Sequence, residues 1–405
     1  MSPRVGRHFL QLPGPSNVPD RILQALARST IDHRGPEFAA MTKRILDGLG
    51  RVFATEHEVF LYPSSASGAW EAALVNTLEP GDRVLLLANG FFAEKWGRVA
   101  GEMGFEVETL EGDWRRPPDP GAVEERLRGD AQETIRAVLL VHSETSTGIR
   151  ADVAAVGEAI RGAGHPALFM VDAVSSLASI EFRHDAWGVD VTVAGSQKGL
   201  MLPPGLAFTA ASPRAAEAAA ASSHPRSYWD WEAMRERNRD GFFPYTPATN
   251  LLFGLEEALA MLQEEGLEEV WARHERFARA TRRAVRAWGL ETVCIVKGAH
   301  SATVTSVPVP EGADADAFRA HLLERYDVTL GKGLGRLEGR AFRIGHLGEL
   351  NAPWLLGALA AVEMGLEDVG IAHEPGGLQA ALTSLREAGS GAGVDGSRDE
   401  EERSG

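Results

Sequence analysis

The sequence predicts an α/β protein: a mostly parallel seven-stranded sheet in a large domain, with a smaller C-terminal α/β domain behind it. Three observations carry that expectation. Seven short apolar runs bounded by turn residues recur through the first half of the chain, helical stretches with one apolar face fall between most of them, and after Pro247 the pattern changes to long helices. Strands alternating with helices indicate a parallel sheet covered on both faces, an architecture that receives ligands beyond the carboxyl ends of its strands.

In chain order the predicted strands are Val59–Tyr62, Val84–Ala88, Val107–Leu110, Ala137–His142, Leu168–Val171, Val189–Ala194 and Leu206–Thr209. Each is a run of branched or aromatic residues short enough for a strand and too short for a helix. Helices are predicted over Gly68–Leu78, Ala93–Met103 and Ala151–Ala163, then over Asn250–Glu265 and Leu267–Trp288. Two further strands, Thr292–Val296 and Thr303–Val309, follow them. The division expected is an N-terminal segment over 1–20, a large domain over 21–261, a small domain over 262–388 and a disordered tail over 389–405. That tail has Val394 as its one bulky apolar residue, too little to offset the entropy of ordering it.

Composition narrows the function classes. A chain of 405 residues with 44% hydrophobic and 24% charged residues is an ordinary globular protein, and no apolar stretch approaches the roughly 20 residues a membrane helix needs. The formal charge of −16 argues against a nucleic-acid partner, which requires clustered Lys and Arg. No Cys/His spacing suggests a metal. A start without a long apolar core and a single cysteine, Cys294, point to the cytoplasm.

Five segments carry candidate chemistry. In VTVAGSQKG, Lys198 stands just past a strand end; of the five lysines it alone is placed where a carbonyl could reach a partly desolvated amine. Lys43 and Lys95 fall in polar-faced helices, and Lys297 and Lys332 in glycine-containing turns. In ALFMVDA an apolar strand ends on Asp172, suited to hold a proton on a pyridine nitrogen. In YPSSASGAWE, Ser67 and Gly68 lead from strand into helix, where backbone amides can meet an anion. In LANGFF, Phe92 can stack on a heteroaromatic ring. In RAFRIG, Arg343 alternates with Phe342 and Ile344 and needs an anionic partner, for which a carboxylate matches its planar fork. Each segment alone also fits a structural role: a solvated lysine, a helix-capping aspartate, a plain turn, a core aromatic, an internal ion pair.

Together and in this order they resemble the class V aminotransferases of pyridoxal-phosphate (PLP) fold type I, most of all those that use glyoxylate with serine or alanine. The resemblance covers about residues 12–385 and rests on PGPSNVP (13–19), DHRGPEF (32–38), SGAWEAALVNTLEPGD (67–82), ANG (88–90), HSETSTG (142–148), VDAVSSL (171–177), GSQKG (195–199), PYTPATN (244–250) and FRIGHLG (342–348). It implies pyridoxal 5'-phosphate as cofactor, Lys198 as Schiff-base lysine and proton shuttle, and Asp172 as pyridinium partner. It further implies that Ser67, Gly68, Ala69 and Gln197 approach the phosphate, Thr145 the phenolic oxygen and Val174 the ring, with Phe92 stacking where relatives are open to tryptophan. Arg343 is implied for the substrate α-carboxylate, and Asn17 lies in the PGPSN turn beside it. A homodimer is implied in which Tyr245 and Thr249 reach the neighbour's phosphate.

The function expected is transfer of an amino group from a small L-amino acid, serine first, to glyoxylate. Alanine, aspartate and ureidoglycine are the competing donors, and Arg34 would hold the second carboxylate of aspartate if it turned into the site. The same scaffold also supports lyase and cysteine-desulfurase chemistry. A desulfurase needs a mobile cysteine, whereas Cys294 lies in an apolar run. A non-enzymatic binding scaffold would be expected to lose Lys198 or Asp172.

Overall fold

The computed structural model describes residues 6–389. The chain opens with a three-residue strand, β1 (Phe9–Gln11), then two helices, α1 (Asp20–Leu26) and α2 (Pro36–Phe53). Pro36 starts α2 at the position where a missing N–H costs nothing, and Ala54 ends it in the left-handed conformation. The large sheet then accumulates through β2 (Glu58–Ser64), α3 (Ala66–Thr77), β3 (Arg83–Ala88), α4 (Phe91–Glu102), β4 (Glu106–Glu111), α5 (Pro120–Arg128) and β5 (Ile135–Val141). A two-residue hairpin, β6 (Ser143–Glu144) with β7 (Ile149–Arg150), precedes α6 (Val153–Ala163), β8 (Leu168–Asp172), β9 (Val191–Gly195) and β10 (Gly205–Ala211).

The seven strands lie in the order β2-β10-β9-β8-β5-β3-β4. All pairings are parallel except those of β10, which runs antiparallel to both β2 and β9. Side chains alternate between two cores, as the strand period of two requires. Leu85, Leu87, Val138, Leu140, Phe169 and Val171 face α2, α5 and α6. Val84, Leu86, Leu139, Met170 and Val193 face Trp70 of α3 and Trp96 of α4. At about 1.5–3 kcal/mol for each large side chain removed from water, these two layers dominate the stability of the sheet.

After β10 come α7 (Pro213–Ala221), α8 (Trp231–Asn238), α9 (Thr249–Glu265) and α10 (Leu267–Ala287). The second sheet uses β11 (Val304–Pro308), β12 (Val328–Lys332) and β13 (Ala341–Gly345), with α11 (Ala315–Tyr326), α12 (Ala352–Asp368) and α13 (Gly377–Gly389) around it. Its order is β1-β12-β13-β11, so β1 from the chain start pairs parallel with β12 near the chain end.

Two expectations are corrected here. Thr292–Val296 is not a strand: the amide of Val293 donates to Ser306 O and that of Ile295 to Arg115 O, two partners on different segments that form no ladder. Lys332 closes β12 rather than lying in a turn. The tail expected to be disordered lies outside the described residues from 390 onward, while Gly389 is the last residue of α13. No helix among the described residues is long and apolar enough to cross a membrane.

Candidate active site

Strands β8 and β9 are parallel neighbours, and the residues at and just past their carboxyl ends meet in one cavity of about 300 Å³. Lys198, three residues beyond β9, and Asp172, the last residue of β8, both line it and are 8% and 4% exposed. Asp172 is gripped by two donors, the amide of Val174 and the indole N–H of Trp70, each at 2.8 Å. Burial pushes its carboxyl up to about 7 against the pull of those bonds. Burial likewise pushes the Lys198 amine down to about 7, helped by the Arg343 guanidinium. The Lys198 amine donates to the carbonyl of Pro13, and a Cβ on Gly14 would stand 2.4 Å from the Lys198 Cδ and Cε. The turn after β1 is therefore packed onto the lysine, and only glycine fits there.

The phosphate-side expectation divides. Helix α3 begins at Ser65 without a side-chain cap, and Ser65, Ala66 and Ser67 line the cavity. Gly68 and Ala69 do not. Their amides donate back to Ser65 O, and Gly68 is glycine because a Cβ would strike Ser64 Oγ at 2.2 Å and Trp229 at 2.7 Å. Gln197 does line the cavity, and its buried Oε1 has no partner there. Phe92, Thr145 and Val174 complete the wall, with Thr145 Oγ1 2.5 Å from Ser175 Oγ.

Arg343 on β13 is 8% exposed; its Nε donates to Lys332 O at 2.7 Å and a terminal nitrogen to Thr145 O at 3.1 Å. Burial lowers its pKa to about 10. Both hydrogen-bond partners of its guanidinium are backbone carbonyls, so among the described residues it forms no ion pair and the fork keeps its demand for an anion.

Besides Gly68, Ala69 and Arg343, four expected residues do not line this cavity. Asn17 donates to Leu10 O at 3.2 Å. Arg34 is exposed, its amide bonded to Asp32. Tyr245 stacks on Tyr228 with centroids 4.5 Å apart and donates to Leu61 O, and Thr249 is buried in the first turn of α9. Cys294 is buried against Ile149 and Ala299, away from the cavity. A wider groove, about 730 Å³ around Asp47, Arg51 and Asp185, is open charged surface with none of this chemistry.

Three participants escaped the sequence reading: Trp70, Glu144 and Lys95. Glu144 is fully buried; one oxygen accepts from the amides of Phe92 and Ala93 at 3.0 and 3.1 Å, the other from the amide and hydroxyl of Ser146 at 2.9 and 2.7 Å. It ties the β6–β7 hairpin to the start of α4 and so fixes Phe92. Gly90 must be glycine for this approach, since a Cβ would lie 2.3 Å from Glu144 Cγ. The available signal was position: Trp70 falls one helical turn after Ser67, and Glu144 sits inside HSETSTG.

The family profile described as aminotransferase class-V matches residues 9–335. The chain belongs to the class-V aminotransferases. Among curated relatives of this aminotransferase, a serine–glyoxylate aminotransferase from Methylorubrum extorquens is 46% identical, covering 95% of this chain and 97% of that protein. An L-aspartate–glyoxylate aminotransferase from Paracoccus denitrificans is 43% identical, covering 93% of this chain and 96% of that protein. Among solved structures, the ureidoglycine–glyoxylate aminotransferase of Bacillus subtilis superposes with a TM-score of 0.88 at 29% identity, covering 95% of this chain and all of the other. The fold is thus that of the PLP aminotransferases, fold type I, and the cofactor is pyridoxal 5'-phosphate. The site fits it: a low-pKa amine for its carbonyl, a buried acid for its ring nitrogen, and an uncapped helix start with the Ser67 hydroxyl and the Gln197 amide group at its anionic end.

Proposed function

We propose that this aminotransferase moves the amino group of a small L-amino acid, serine first, onto glyoxylate, giving glycine and a 2-keto acid. The observation that carries the reading is the pairing in one cavity of the Lys198 amine and the Asp172 carboxyl, both displaced by burial toward neutrality. Pyridoxal phosphate, when bound, supplies the carbonyl that receives the amino group and a ring that takes up the electron pair released at the donor α-carbon. Lys198, with its pKa near working pH, takes that proton and returns it on the other side of the reaction. Asp172 holds a proton on the ring nitrogen; Trp70 and Val174 fix the carboxylate for this. Arg343 receives the α-carboxylate of donor and acceptor alike.

Serine is supported by the name of the 46% identical relative, and aspartate, the second reading, by that of the 43% identical one. We further infer a homodimer, because Tyr245 and Thr249 stand outside their own chain's cavity, and a cytoplasmic setting, from the lone buried cysteine. Borohydride reduction and peptide mapping should place the pyridoxyl label on Lys198; a label on another lysine would refute the site. Measured with glyoxylate, kcat/KM should be highest for serine and little changed in Arg34→Ala. A dominant aspartate activity that collapses in that variant would overturn the serine assignment while leaving the transamination intact.

A further inference from the structure

Lys95 lies on α4, one helical turn beyond Phe92, and lines the cofactor cavity rather than the solvent face where the sequence reading put it. Its Nζ is 5.6 Å from the centroid of the Trp70 ring, and among the described residues that ring is its recorded partner. Trp70 stands one turn along α3 from Ser67, whose uncapped helix start opens onto the same wall, and its indole N–H reaches from there to Asp172, so its ring borders the stretch between the helix start and the acid. Arg343 does not line the cavity; it stands behind Thr145, whose carbonyl it binds along with that of Lys332.

Charge balance gives Lys95 a task. Among the residues lining the cavity, only Lys95 and Lys198 carry an amine, and Lys198 is committed to the cofactor's carbonyl carbon. A phosphate ester brings a charge of about −1.5 to −2. Against it the helix start offers only about half a positive charge, and Ser67 and Gln197 offer neutral donors. We propose that Lys95 is the cation that answers the cofactor phosphate from the α4 side and sets the preference for the phosphorylated cofactor over free pyridoxal. The proposal rests on the family reading, because it needs the phosphate to lie at the start of α3.

The test titrates apoenzyme of wild type, Lys95→Met and Lys95→Arg with pyridoxal phosphate and, separately, with pyridoxal, following cofactor absorbance and tryptophan quenching. Lys95→Met should weaken pyridoxal phosphate about tenfold and pyridoxal by less than about twofold, since only the first loses a charge-assisted contact; Lys95→Arg should recover most of the difference. Equal weakening of both ligands would assign Lys95 to packing on Trp70 and overturn the proposal. Unchanged binding of both would overturn it too, and if the KM for aspartate alone then rose, the cation would belong to the donor side chain. Wild-type apoenzyme that took up neither ligand would sink the family reading of the site, and the proposal with it.

Discussion

Four donors converge on the Glu144 carboxylate, and all four point at acceptors only an ionised acid supplies. Burial raises its pKa, and those bonds work against the rise. Glu144→Gln puts an NH2 group where two donors already point, so either the amides of Phe92 and Ala93 or the amide and hydroxyl of Ser146 lose their acceptor. The expected cost is about 2–3 kcal/mol in urea denaturation, with a shifted absorbance of bound cofactor as Phe92 moves. At this scale the sequence was legible where a side chain's direction follows from a strand end, as for Lys198 and Asp172. Trp70, Glu144 and Lys95 were not, because each acts across a helix–sheet contact that no linear spacing encodes.

The most consequential element is the segment from β1 through Pro15, which pairs in the small sheet and then crosses onto Lys198. Gly14→Ala tests its role as a wall. At φ +120 an alanine is strained, and its methyl group would stand where the lysine side chain now lies. Far-ultraviolet circular dichroism should be near normal, while cofactor retained after gel filtration should fall sharply; full retention would show the turn can yield. Sequence periodicity recovered every strand of the large sheet: the central ones are apolar along most of their length and buried on both faces, while the edge strand β4, EVETLE, is largely exposed and is marked by Val107 and Leu110. It missed β1, three residues long, because a strand that short has no periodicity to read. It overcalled Thr292–Val296, because apolar alternation records burial and not the neighbour a ladder requires.

For the whole molecule, the two buried groups of the site make apoenzyme stability depend on pH. Asp172 is raised from 3.8 to about 7, so its contribution is present below 3.8 and is lost as pH rises toward 7. Lys198 is lowered from 10.5 to about 7, so its contribution is present above 10.5 and is lost as pH falls toward 7. Both losses meet near neutrality. The Tm of apoenzyme should therefore show a trough near pH 7 that flattens in the Lys198→Met, Asp172→Asn double variant; an equal trough in both would assign it to other groups. Scattering should find a homodimer that sheds cofactor on dilution, and an occupied, active monomer would refute the shared-site reading. The expectation of a homodimer came only through resemblance, since nothing in one chain's periodicity marks which loops would serve a neighbour. The pairing of Phe9 with Val328 carries a last consequence for biosynthesis. Strand β1 leaves the ribosome more than three hundred residues ahead of its partner, so the peptide that closes over Lys198 is made well before it can dock. Cofactor capture in the finished form therefore belongs to the completed chain, and a bulky fusion ahead of Phe9 would obstruct that closing step rather than the folding of the large sheet.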